Sequence, residues 1–253
     1  MAQPVEVAPL RSRAARASAA GTQEHTAARL GFWAALILAF LTPATFAIAI
    51  ATPPRSGPFC TGTCFGYPYM GAVQFVPRDF LWCYPAVFLL PAFVMVVACL
   101  RYWVAPGMRP LSLVALVFAA MAAGLISTDY FLQIEVVQPS LLKAEPVGLA
   151  LLSQYNPHGI FIALEDLGYL ILSVAFCFAG AALPRVTRSA RMLRWILMLS
   201  FPLMLVSYAW MTWRFGTNLE MRFELAAVTI DWTVLTAAGI LLALFFRRCA
   251  REP

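Results

Sequence analysis

Residues 111–138 read LSLVALVFAAMAAGLISTDYFLQIEVVQ, a long apolar stretch that carries a single aspartate, Asp129. A membrane's hydrocarbon core is about 30 Å thick, and a helix of roughly 20 apolar residues crosses it. Five other stretches have this length and character, so we predict an all-α fold, a polytopic membrane helix bundle with six transmembrane helices. One membrane domain, residues 29–248, would hold the six spans: 30–52, 80–103, 111–138, 158–183, 192–213 and 223–246.

The composition supports a membrane protein and argues against a nucleic-acid binder. Of the 253 residues, 62% are hydrophobic and 12% are charged, whereas soluble domains carry about 25% charged residues. The net charge is +6, which in a membrane protein indicates topology and contact with anionic lipids. No run of interleaved basic and aromatic residues points to nucleic acid. The partners we expect are the lipid bilayer and anionic lipids at the cytoplasmic face.

The basic residues divide unequally between the two ends of the six predicted spans. Cytoplasmic loops of membrane proteins are enriched in Arg and Lys, so the richer end predicts that both termini are cytoplasmic, in a multi-pass protein of the bacterial inner membrane. The richer end holds Arg11, Arg13, Arg16, Arg29, Arg101, Arg109, Arg185, Arg188, Arg191, Arg194, Arg247, Arg248 and Arg251. The other end holds Arg55, Arg78, Lys143, Arg214 and Arg222.

The N-terminal residues 1–28 are rich in Ala, Arg and Ser and are predicted to be a disordered cytoplasmic tail. A cleaved leader ending near residue 51 is the alternative, because small residues (Ala47, Ala49, Ala51) close the first span. Such a leader would be unusually long and its apolar part is a full-length span, which favours a retained helix.

Two external loops are predicted, at residues 53–79 and 139–157. The first contains Cys60 and Cys64, and the outside is the oxidising compartment, so a disulfide that clips this loop is the favoured interpretation. A redox-active pair and free thiols remain alternatives. Redox motifs usually have two residues between the cysteines, and here there are three.

Three aspartates lie within hydrophobic spans, each eight or nine residues from the predicted outer end. At 1.5 Å per residue Asp129, Asp166 and Asp231 would lie roughly 12–14 Å below the outer boundary, with Glu165 one step shallower. A charged carboxylate is costly in hydrocarbon and normally faces a water-filled cavity or a partner. We therefore predict an outward-facing acidic cavity.

Helical spacing adds companions to this carboxylate layer. Gln133 shares a face with Asp129, and Tyr169 shares one with Glu165. The predicted ligand- or ion-binding residues are Asp129, Gln133, Glu165, Asp166, Tyr169 and Asp231. The predicted cavity rim comprises Arg78, Glu135, His158, Arg214 and Glu224.

Several functions agree with these residues. Carboxylates held together cannot all ionise cheaply, which favours proton binding, and with Gln and Tyr oxygens they also suit a hard cation. Binding or permeation of a small solute or cation is the leading hypothesis. The alternatives are a non-enzymatic accessory or sensor protein with structural carboxylates, and an external thiol–disulfide redox protein. No catalytic set and no cofactor fingerprint is found, so the sequence favours a protein that is not an enzyme.

Four segments resemble a group of bacterial polytopic, six-helix integral membrane proteins for which no activity is known. They read CTGTCFGYPY (60–69), VPRDFLWCYPA (76–86), TDYFLQIEVVQPSLLK (128–143) and LALLSQYNPHGIFIALEDLGYL (149–170). The resemblance spans roughly residues 53–183 and implies the same helical membrane fold. It implies no activity, cofactor or site residue.

Overall fold

A computed structural model describes residues 10–184 and 187–251, which contain only helices, turns and irregular connections. Within these residues six helical segments are long and apolar enough to span a membrane, and the prediction of an all-α, six-helix bundle is confirmed. We number them α1 (Leu10–Ala51), α2 (Leu89–Leu100), α3 (Arg109–Leu132), α4 (Ile160–Ala182), α5 (Arg188–Phe215) and α6 (Met221–Cys249).

Each helix belongs to a segment long and apolar enough to cross a membrane, so the chain is a multi-pass membrane protein. Helix α2 is itself short, but helical turns on both sides extend its apolar segment to Arg78–Trp103. Many large apolar side chains also point away from the bundle, among them Phe40, Val206 and Trp213, which are more than half exposed. Such a surface suits lipid, because soluble proteins rarely expose large contiguous apolar patches.

The helices form a closed ring in chain order. Each packs against its neighbours in sequence, and α1 closes the ring by packing along α6. Helix α4 also contacts α6 across the ring. Small residues allow close approach, as is common between membrane helices: Gly239 of α6 lies directly against Ala35 and Ala39 of α1. The ring and its cross-contact bring residues from distant parts of the chain to one place.

The N-terminal region differs from its prediction. Helix α1 begins at Leu10 and runs without interruption to Ala51, so residues 10–28 are helical rather than disordered. The physical reason is the abundance of Ala and Arg, both strong helix formers. The rest of the predicted tail, residues 1–9, lies outside the described residues, as does Arg185 of the predicted cytoplasmic side.

The two predicted external loops fold together over one end of the bundle, which we call the loop end. An apolar cluster, separate from the core of the bundle, joins the two loops, and its buried members include Tyr69, Phe80, Leu149 and Tyr155. Ser56 of the first loop donates a hydrogen bond to the carbonyl of Tyr155 in the second. Cys60 and Cys64 form a disulfide within the first loop. The loops are thus an ordered cap on the bundle.

Candidate functional site

A cavity of about 210 Å³ lies at the loop end, open on one side. Its walls come from the end of α1, the start of α6, the halves of α3 and α4 nearest the loop end, and both loops. Its lining includes the carboxyls of Glu165 on α4 and Glu224 on α6. The cross-ring contact between α4 and α6 brings these two glutamates together.

Glu165 and Glu224 form a carboxyl pair. Glu165 is 1% exposed, and its Oε1 accepts a hydrogen bond from the Tyr130 hydroxyl at 2.5 Å. Its Oε2 has no such partner among the described residues, but the carboxyl of Glu224 lies within hydrogen-bonding reach. Two adjacent carboxyls in a buried site cannot both ionise cheaply, so the pair is suited to hold one proton between its oxygens.

A chain of hydrogen bonds runs behind Glu165 and joins three helices. Trp232 of α6 donates its indole N–H to the hydroxyl of Tyr169 at 2.7 Å, and the hydroxyls of Tyr169 and Tyr130 are bonded to each other. Each hydroxyl has only one proton. Since Tyr130 donates to Glu165, Tyr169 donates to Tyr130, and every donor in the chain is directed toward Glu165. The chain therefore fixes the orientation of this carboxyl.

Aromatic rings cover much of the cavity wall. Trp82 packs edge-to-face on Tyr130 and on Phe161, with ring centroids 5.0 and 6.3 Å apart. Phe46 of α1 packs in the same manner on Trp232 of α6, at 5.6 Å. All five rings line the cavity. Aromatic rings from five segments of the chain thus line the cavity that contains the carboxyl pair.

The mouth of the cavity carries a buried ion pair. Asp79, 1% exposed, binds Nε of Arg55 and Nε of Arg78, each at 3.0 Å. The Arg55 side chain is only 10% exposed and stacks over the Phe75 ring, 3.8 Å from its centroid. Burial raises the pKa of the neighbouring Tyr155, and the Asp79 carboxylate raises it further, so this phenol stays neutral. Two arginines on one aspartate leave the mouth with net positive charge.

The predicted carboxylate layer is changed in two respects. Glu165, predicted as a ligand-binding residue, lines the cavity, and its companion there is Glu224, which was predicted at the rim. Asp231 lies further from the loop end than Asp166. Its neighbour Trp232 is hydrogen-bonded to Tyr169, which lies about one helical turn beyond Asp166 on α4. Asp231 is ten residues into α6, which begins at residue 221, whereas Asp166 is six residues into α4, which begins at residue 160.

None of the three aspartates lines the cavity. Asp129 is buried and lies within electrostatic range of Glu165 and Glu224. Asp166 is half-buried and also lies within range of Glu224. Asp231 is fully buried, and neither of its oxygens has a hydrogen-bond partner within residues 10–184 and 187–251. Asp129 and Asp166 therefore lie near the carboxyl pair without lining the cavity.

The other predicted residues are dispersed. Tyr169 belongs to the hydrogen-bond chain behind Glu165. Arg78 pairs with Asp79 at the mouth. Glu135, His158 and Arg214 are exposed and do not line the cavity.

Gln133 has a structural position. Its amide nitrogen donates to the carbonyl of Leu152 at 2.6 Å, and its amide oxygen accepts from the backbone N–H of Gln154 at 3.0 Å. Both partners lie in the 139–157 loop, so Gln133 attaches that loop to the bundle.

This attachment gives a testable prediction. Gln133→Met keeps the length of the side chain but leaves two partly buried backbone groups unpaired, which we expect to cost about 1–3 kcal/mol of unfolding free energy. Denaturation in detergent and limited proteolysis of the 139–157 loop measure this effect. The matched control is Gln74→Met, because Gln74 is exposed and its loss should cost under about 0.5 kcal/mol. Equal losses in the two variants would contradict the assignment.

Sequence reasoning missed most of the wall and the mouth. Asp79 and Arg55 were not predicted as site residues, although an acidic residue beside Arg78 at the start of a span was a visible signal. Trp82 and Phe46 gave no signal, because aromatic residues are common in every span. Only the fold identifies which of them face the cavity.

Comparison with known proteins adds no assignment: no family model, no curated protein and no solved structure matches this chain.

Proposed function

We propose that this protein lies in the bacterial inner membrane with both termini in the cytoplasm, and that it binds a small solute or cation in the loop-end cavity and lets it permeate. One observation carries the proposal: Glu165 lines the cavity and is 1% exposed, and its Oε2 has no hydrogen-bond partner among the described residues. Burying such a group is costly unless a proton or a ligand compensates it.

Proton release is the proposed coupling step. A cationic ligand that reaches Glu165 and Glu224 needs their negative charge, and so it competes with the proton held by the pair. The groups that surround the pair are Asp129 of α3, Asp166 of α4 and the neutral hydroxyl of Tyr130. None of them carries a positive charge, and the cationic residue that lines the cavity, Arg55, is paired with Asp79.

A structural role is the second candidate, and the hydrogen-bond chain favours it. Trp232, Tyr169, Tyr130 and Glu165 join α6, α4 and α3, and such a network would also serve an accessory or sensor protein by fixing helix packing. This alternative predicts that amide variants are less stable and that no ligand response exists to be lost.

The test is a series of thermal melts of the purified protein in detergent, across pH and a panel of inorganic and organic cations. A ligand that binds only the folded state at 100 times its Kd stabilises that state by about 2.7 kcal/mol. We expect such stabilisation in the wild type, increasing as pH rises because fewer protons compete. It should be lost in Glu165→Gln and Glu224→Gln, which keep the side-chain shape.

The control is Glu145→Gln, an exposed carboxylate of the 139–157 loop that does not line the cavity. This variant should keep the full ligand response. The proposal fails if no cation and no pH change shifts the wild-type melt while both cavity variants simply melt earlier. That pattern would favour the structural role.

A further inference from the structure

We propose that the ligand of the loop-end cavity is an organic ammonium ion, a cation whose charge is surrounded by carbon substituents. This inference rests on the proposed function and specifies its substrate class. It follows from the way in which the cavity combines two carboxyls with aromatic and aliphatic wall groups.

The aromatic wall is the first argument. A cation within about 6 Å of an aromatic ring is attracted by the negative face of that ring, most strongly for Trp, and aromatic cages are the usual recognition device for quaternary ammonium groups. Here Trp82, Trp232, Tyr130, Phe46 and Phe161 line a cavity that also contains Glu165 and Glu224. The rings provide attraction for a large cation, and the carboxyls neutralise its charge.

The donor set is the second argument. A hard ion such as Ca²⁺ takes 6–8 oxygen ligands, most strongly from carboxylates, but of the three acidic residues that line the cavity Asp79 is already paired with two arginines, which leaves the Glu165 and Glu224 carboxyls. No group of three or more His, Cys, Asp or Glu side chains is positioned for a metal ion in the described residues. An ammonium ion with carbon substituents needs fewer oxygens and gains from contact with the apolar wall.

The size and the open side of the cavity are the third argument. A cavity of about 150 Å³ accommodates a molecule as large as benzene, so 210 Å³ accepts a small organic cation. Ile50 of α1 and Leu225 of α6 contribute to the wall, and both are also exposed on the outside of the bundle. Carbon substituents of the ligand can therefore extend along an aliphatic surface between α1 and α6.

The experiment compares choline with 3,3-dimethylbutan-1-ol, in which a neutral carbon replaces the charged nitrogen, and with NaCl and CaCl2. Thermal melts and isothermal titration are recorded on the full chain in detergent at pH 8. We expect choline to bind and its neutral isostere and the inorganic cations to have little effect. Glu224→Gln should weaken choline binding more than about thirtyfold, because the charge lost is partly buried.

The ring contribution is tested separately. Trp82→Leu should weaken choline binding about tenfold, whereas Trp82→Phe, which keeps an aromatic face and the packing on Tyr130, should lose less. Trp195→Leu is the control, since Trp195 is exposed on α5 away from this cavity. It should bind choline as tightly as the wild type.

The outcomes separate the two proposals. Equal binding of choline and its neutral isostere overturns the ammonium assignment, because the charge would then contribute nothing. A response to Na⁺ or Ca²⁺ alone, lost in Glu224→Gln, overturns the ammonium class while the proposed cation-binding function stands. No response to any cation overturns both.

Discussion

Asp79→Asn is expected to destabilise the protein by about 3–5 kcal/mol, the usual cost of removing one partner from a buried ion pair. The Asp79 carboxylate is 1% exposed and binds Nε of Arg55 at 3.0 Å. Asparagine keeps the shape but removes the charge, so Arg55, whose side chain is 10% exposed, becomes a buried cation without its counter-ion. Arg78 is 62% exposed and can be solvated instead. Equilibrium denaturation in mild detergent measures the loss.

Two further variants make this prediction decisive. Glu220→Gln removes a carboxylate that binds Arg222 at 2.6 Å, but both side chains are 24% exposed, so the cost should stay below about 1 kcal/mol. The double variant Arg55→Met with Asp79→Leu should recover much of the lost stability, because no buried charge remains. Similar losses in Asp79→Asn and Glu220→Gln would show that burial is not the cause.

Gly239→Val is expected to cost about 3 kcal/mol or more and to disrupt the closed ring of helices. A Cβ atom at position 239 would lie 2.6 Å from the backbone N of Ala39 and 3.0 Å from the carbonyl O of Ala35. These are backbone atoms of α1, which cannot move aside as a flexible side chain can, so α1 and α6 must separate. Denaturation midpoint and gel-filtration profile in detergent measure the effect.

Gly124→Val is the matched control, because it is the same substitution in another long helix, and a Cβ there meets nothing within 4 Å. Its effect on stability should be within about 0.5 kcal/mol. Ligand binding gives a second readout: the Phe46–Trp232 contact lies on the same α1–α6 interface, so Gly239→Val should also lose the cavity. A well-folded Gly239→Val that binds ligand normally would contradict the ring closure described here.

The candidate site was only partly predictable from the sequence. Carboxylates within apolar spans are visible in the chain, and Glu165, Glu224 and Tyr169 were all identified, the second only as a rim residue. The pairing of Glu165 with Glu224 was not predicted, because the rotation and the axial position of each helix decide which side chains face each other, and the sequence alone does not give them. Asp79 and Arg55 were missed because their burial depends on how two irregular loops fold together.

The sequence by itself determined that the chain is helical and crosses a membrane six times. The length and the apolar character of each span are local properties of the sequence, and they match the thickness of a bilayer. Inside the bilayer such a span must be helical, because a helix pairs its own backbone hydrogen-bonding groups. Only the tertiary structure decided the order of the ring, the crossing contact between α4 and α6, and the cavity that results. Those features depend on the rotation and axial position of each helix, which small residues such as Gly239 set through close contact.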